Sequence, residues 1–241
     1  MKTLIIIQAR MGSTRLPGKV LKPLGESVVL DYVISRCKQV SQVEEVIVAT
    51  STLKQDDVII NWCKEHDVTC FRGSEDDVLK RYYTCAKPHN PDYIIRVTAD
   101  CPFVDYHLAN QINDAMKKKP ADFVIVNGKL PRGLVVEMIA FSALEYMYKH
   151  GHKSRYREHV TYYAYEFPEK FNQTEVTAPC SLQHPELRIT LDTKEDYQLC
   201  VAVADHFYGN KLISSQDVVD YLRAYPEIAN KNSHIKQKPV E

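Results

Sequence analysis

The chain has no surplus of charge of either sign: 31 lysines and arginines balance 31 aspartates and glutamates over 241 residues. That balance excludes a general field attracting nucleic acid or a membrane surface, so any anion must be bound by a local cluster. Long apolar runs are also missing. The N-terminal MKTLIIIQAR has a basic residue, but its apolar stretch covers only Leu4–Ile7. That is too short for a signal core, no small-residue cleavage site follows, and no later stretch approaches the length of a membrane span. The expected location is the cytoplasm. There is no C-x-x-C, and the seven cysteines are an odd set scattered singly, which argues against a disulfide framework. Cys63 and His66 have ligand-like spacing, yet no second pair completes a zinc site. The length is enough for one large α/β domain, or a domain with an elaboration, to bury its own core without staples.

What the chain does have is concentrated in Leu4–Leu24, LIIIQARMGSTRLPGKVLKPL. An apolar run suited to a buried strand breaks at Gln8 into a loop with Arg10, Ser13, Thr14, Arg15, Lys19 and two glycines, Gly12 and Gly18. Cations and permissive backbone at the end of a core strand describe a polyphosphate cradle. It is not a P-loop. Five residues separate Gly12 from Gly18 where G-x-x-x-x-G-K-[ST] has four, Val20 follows Lys19 in place of a hydroxyl, and Pro17 removes an amide.

Short β-rich runs alternate with amphipathic stretches. Leu4–Gln8, Val46–Thr50, Tyr93–Thr98 and Asp122–Val126 are predicted strands, with helices near Val29–Gln39, Gln55–His66, Asp77–Lys87 and Tyr106–Lys118. The alternation predicts an α/β fold, a three-layer Rossmann-like arrangement whose mostly parallel sheet binds ligand at the strands' C-terminal ends. From Leu130 the chain becomes rich in Tyr, Arg and His, and 130–183 is expected to be an insertion over the site. Its tyrosines suit either a subunit interface or an aromatic satellite core. At His184 strand followed by helix resumes, and the tail within 226–241 is expected to be mobile.

Two carboxylates stand out. In Arg96-Val97-Thr98-Ala99-Asp100-Cys101-Pro102 an apolar strand delivers Asp100 just before a proline turn, where it suits Mg²⁺, a hard cation that takes one or two carboxylates plus phosphate oxygens. Asp100 could instead cap the turn or the helix starting near Asp105. In Arg188–Asp196 a predicted strand ends at Asp192, while Thr193 and Asp196 match a capping box, so part of the motif simply starts a helix. Thr50 and Ser51 close one strand and Gly73 and Ser74 another; these small residues would let a base approach, although Ser74 could equally cap the next helix. Glu75, Asp76 and Asp77 favour the positive end of that helix over a metal.

The string AR-x-x-S-T-R-L-P-G-K, running from Ala9 to Lys19, resembles the nucleotide loop of the sugar-acid cytidylyltransferases, which make CMP-KDO and CMP-sialic acid; the chain is most similar to their spore coat polysaccharide branch. The resemblance implies a nucleotidyltransferase domain over 1–225 that joins CTP to a sugar, most simply an acidic eight- or nine-carbon one, with release of pyrophosphate. It implies that Ala9, Arg10, Gly12, Ser13, Arg15 and Lys19 contact the nucleotide, that Gly73 and Ser74 meet base and ribose, and that Asp192 joins Asp100 as the second Mg²⁺ ligand. It also implies a homodimer formed through the insertion. For the sugar, the available residues are Arg132, Glu137, Arg157, Glu158 and His159, of which P-x-G-x-x-x-E and R-E-H-V-T look characteristic of the branch; a solvated helix face and an interior histidine would account for the second string equally well. Three rival readings stay open: a uridylyltransferase acting on a sugar phosphate, a glycosyltransferase, and a nucleotide-binding module without activity. A glycosyltransferase would normally show D-x-D at a strand end, and Asp100 is followed by Cys101 and Pro102.

Overall fold

The structure, a computed structural model, describes residues 1–237. Its strands are β1 (Thr3–Gln8), β2 (Pro23–Leu24), β3 (Ser27–Val28), β4 (Glu45–Ser51), β5 (Thr69–Gly73), β6 (Tyr93–Thr98), β7 (Phe123–Asn127), β8 (Glu137–Ala140) and β9 (Gln173–Thr177). The helices are α1 (Val29–Cys37), α2 (Asp57–Glu65), α3 (Val78–Ala86), α4 (Tyr106–Lys118), α5 (Phe141–His150), α6 (Ser154–Glu158), α7 (Tyr162–Glu166), α8 (Lys194–His206), α9 (Ser215–Ala224) and α10 (Pro226–Ala229).

Seven strands form one sheet in the order β5-β4-β1-β6-β8-β7-β9, with β2 and β3 paired apart from it. Every pairing in the large sheet is parallel except those of β8 with β6 and β7. The apolar run of β1 has no polar alternation because both faces are covered. Ile5 and Ile7 face a core shared with Val33 and Ile112, while Leu4 and Ile6 face one shared with Leu79, Tyr82 and Leu144. After β5 the chain returns to the other side of β1 to lay down β6, which places the switch in strand order at the C-terminal ends of β1 and β6. The hydroxyl of Tyr82 lies 3.1 Å from the carbonyl oxygens of both Ile6 and Val97, tying these two strands together just below that point.

Three expectations need correction. The segment 130–183 is not a mere insertion, because it supplies β8 and β9 to the main sheet. Its aromatic residues Tyr156, Tyr163 and Phe171 are buried with Leu4 and Ile6 in a single core. Residues 188–192 do not form a sheet strand. They run extended across the strand ends, held by one bridge between Arg132 and Arg188 and by Leu191 N–H donating to the Asp100 carbonyl at 2.8 Å. As far as residue 237 the tail is docked: α10 is helical, and Asn232, 1% exposed, donates to Arg188 O and Asp196 Oδ1. The remainder of the predicted tail, 238–241, lies outside the described residues.

Candidate active site

A cleft of about 1300 Å³ opens at the strand-order switch. Its walls include Ala9, Arg10, Gly12, Ser13, Arg15 and Lys19 from the first loop, Arg96, Thr98 and Asp100 from β6 and its end, Arg132, Glu158, His159 and Asp192. The structure therefore brings together residues that lie up to 183 positions apart in the sequence.

The first loop is held from behind by a residue not recognised in the sequence. Asp56 is fully buried and accepts from Met11 N–H at 2.7 Å and from the amide and hydroxyl of Ser51. Gly18 adopts φ 67°, a left-handed conformation that disfavours residues with a Cβ, and the turn it makes directs Lys19 inward to 9% exposure.

At the centre of the cleft, Lys19 Nζ donates to Asp100 Oδ2 at 2.7 Å and to Asp192 Oδ1 at 2.8 Å. The other oxygen of Asp192 accepts from Arg188 at 2.9 Å and lies 3.1 Å from Arg15 Nη2. Burial opposes the charge on Lys19, but the two carboxylates outweigh it and raise the lysine pKa. Burial likewise favours protonated Asp192, and Lys19, Arg15 and Arg188 reverse that to hold its pKa below the usual carboxylate value. The Lys19 ammonium marks a point on which two hard carboxylates converge at the mouth of a cationic loop. A divalent cation completed by phosphate or water oxygens asks for this donor set, so Asp100 and Asp192 fit Mg²⁺.

Toward β8 the floor is a second network. Arg96 donates to Glu137 and, at 3.2 Å, to Gln8 Oε1. The free oxygen of Glu137 accepts from Thr161 at 2.8 Å and Tyr165 at 3.0 Å. Burial pushes the Glu137 pKa up, but Arg96 and the two hydroxyls bring it below the usual value. Burial lowers the His159 pKa, aided by Arg96 and opposed by Glu158 and Glu137, which favours the neutral ring.

Several predicted ligands stand behind the cleft and do not line it. Thr50 and Ser51 are fully buried, with Ser51 committed to Asp56. Gly73 makes room for Arg81, whose Cγ would lie 2.8 Å from an added Cβ. Ser74 Oγ accepts from Asp77 N–H at 3.1 Å, a turn at the start of α3. Arg157 points to Asp77 and the Tyr148 carbonyl, and Glu137 is spent on Arg96 and the α7 hydroxyls, so both shape the wall. Arg96 also lines the cleft, and the strand period of two signals this by putting it on the same face of β6 as Thr98, next to the loop that carries Asp100.

The wider comparison agrees with this architecture. The sequence profile of the family described as "Cytidylyltransferase" matches residues 4–217. The spore coat polysaccharide biosynthesis protein SpsF of Bacillus subtilis is 34% identical over 238 residues, spanning 94% of this chain and 96% of that one. A solved cytidylyltransferase structure from Leptospira borgpetersenii serovar Hardjo-bovis superposes with a TM-score of 0.90 at 33% identity, covering 98% of this chain and all of the other. The fold is also that of a CMP:2-keto-3-deoxy-manno-octonic acid synthetase complexed with CTP, with a TM-score of 0.65 at 18% identity over 86% of this chain and 100% of that one. The carboxylate-flanked lysine at the strand switch thus sits in a chain that belongs to the cytidylyltransferase family.

Proposed function

We propose that the protein transfers the CMP unit of CTP to a hydroxyl group of a sugar, most simply an eight- or nine-carbon sugar acid destined for surface or spore coat polysaccharide, and releases pyrophosphate. The observation that carries this reading is Lys19 held between Asp100 and Asp192 in a cleft at the strand switch. Support comes from membership of the family and from full-length similarity to a spore coat polysaccharide protein.

Transfer of a phosphoryl-type group depends mostly on positioning and charge. Arg10, Arg15 and Lys19 neutralise the β- and γ-phosphates and favour pyrophosphate as the leaving group. Asp100 and Asp192 would hold Mg²⁺, which when bound supplies charge stabilisation at the phosphate oxygens. Arg132, exposed on the cleft rim, offers a guanidinium to the sugar carboxylate. Glu158 and the neutral ring of His159 supply polar partners for hydroxyl groups on the same side. The same reading carries a homodimer, by resemblance to the family, and a cytoplasmic location. Incubation with CTP labelled at its α-phosphate and a panel of acidic and neutral sugars tests it: label should move to an acidic sugar, and label recovered only in CTP or CMP would refute it.

A further inference from the structure

The segment after α10 returns to the cleft, and two of its residues bear on Arg188. Asn232 is 1% exposed, and its Nδ2 donates to the Arg188 carbonyl oxygen at 3.0 Å and to Asp196 Oδ1 at 2.8 Å. Ile235 N–H donates to the Asn232 carbonyl at 3.0 Å, a turn after which Gln237 joins the cleft wall that includes Asp192. There Gln237 Oε1 accepts from Arg188 Nη1 at 3.1 Å.

These contacts complete the guanidinium. Nε and Nη2 lie on Asp196, Nη2 also on Asp192 Oδ2, and Nη1 is left for Gln237. The Arg188 side chain is 8% exposed, so without Gln237 a charged donor would stand partly cut off from water. Arg188 and Arg15 together fix Asp192 Oδ2, which turns Oδ1 toward Lys19. Residues 188–192 lie outside the sheet and lack the ladder that holds a strand end in place. Part of that support comes instead from residues 44 and 49 positions downstream of Arg188, which hold its backbone and its third nitrogen.

We propose that the C-terminal segment 231–237 is a working part of the active site, in which Asn232 and Gln237 are positioning residues that hold Arg188 and through it aim Asp192. The inference rests on the proposed function above and extends the site beyond the nucleotide loop and the strand ends.

Asn232→Ala and Gln237→Leu test it in the full chain, with Gln237→Glu as the conservative variant that keeps an acceptor for Arg188. Transfer of label from CTP in the presence of Mg²⁺, to 3-deoxy-manno-octulosonate or N-acetylneuraminate, gives kcat. Calorimetric titration gives CTP affinity, and thermal unfolding gives the range in which each variant is folded. Asn232→Ala and Gln237→Leu should each lower kcat about ten-fold with little change in CTP affinity, and Gln237→Glu should recover most of the loss. A merely structural segment would lower the unfolding temperature and leave the kcat of the folded enzyme as it is. Gln237 is exposed, so its variants stand even if Asn232→Ala does not fold. Unchanged kcat in either folded variant, or equal losses in Gln237→Leu and Gln237→Glu, would overturn the inference while leaving the proposed function intact. A wild type that transferred label to neither sugar would overturn both.

Discussion

Arg188 grips Asp196 with two prongs, Nε to Oδ1 at 2.9 Å and Nη2 to Oδ2 at 3.1 Å, and the same Nη2 reaches Asp192 at 2.9 Å. Asp196 is fully buried and also accepts from the amides of Asp192 and Thr193 and from Asn232. A carboxylate that ordinarily would only close a capping box here also sets the position of Asp192 in the cleft. Removing one partner of a buried pair strands the other, at a cost of about 3–5 kcal/mol. Arg188→Leu should therefore lower unfolding stability by about that amount in urea titration, and Arg188→Lys should retain more stability than Leu. Equal stability of Arg188→Leu and wild type would show that the pair is not a strut.

In the proposed reaction Asp100 lies where charge changes, so Asp100→Asn should lower kcat by roughly a hundredfold or more with little change in CTP affinity. Initial-rate kinetics alongside direct CTP binding separate the two effects. A variant with unchanged kcat would remove Asp100 from the chemistry.

Lys19 has the opposite expectation. In the proposed reaction its ammonium serves the triphosphate, and Lys19→Ala should weaken CTP binding strongly while leaving the weaker binding of CMP nearly unaltered. Titration of both nucleotides into both proteins measures this. Parallel losses for CTP and CMP would place the β- and γ-phosphates elsewhere.

The same groups set the pH dependence of stability. Asp192 and Glu137 have pKa values held below their ordinary 3.8 and 4.5. The unfolded chain therefore takes up protons first as the solution is acidified. Their stabilising contribution is complete above about pH 5 and is lost as pH falls through the ordinary values toward the folded ones. Lys19 is raised above 10.5, so its contribution is complete at neutral pH and is lost only as pH rises past that value. Denaturant unfolding between pH 3 and pH 7 should show stability dropping at the acid end, less steeply in Asp192→Asn; identical slopes for the two proteins would contradict the assignment.

Strands with both faces buried were legible because nothing but a core explains four consecutive apolar residues such as Leu4–Ile7. The cation loop and Asp100 were legible because their chemistry is local to a strand end. What sequence could not supply was the partner of each long polar side chain. Glu137 has the composition of a ligand, and only register shows that it lies opposite Arg96 on the neighbouring strand. Thr50 and Ser51 sit at a strand end as expected, but Asp56 folds over them and takes the hydroxyl that a base would have used. The tail reads as polar and loose, and it is the burial of Asn232 against Arg188 and Asp196 that docks it. Residues 188–192 have strand composition yet cross the sheet ends, because their amides pair with Arg132 and Asp100 in place of a neighbouring strand.

The central claim is that this cleft joins CTP to a sugar hydroxyl over the Asp100–Lys19–Asp192 centre. Pyrophosphate release, measured for each of the four nucleoside triphosphates against acidic and neutral sugars with Mg²⁺ present, tests it most directly. The account predicts release with CTP and an acidic sugar, abolished in Asp100→Asn; release only with UTP and a sugar 1-phosphate would contradict it.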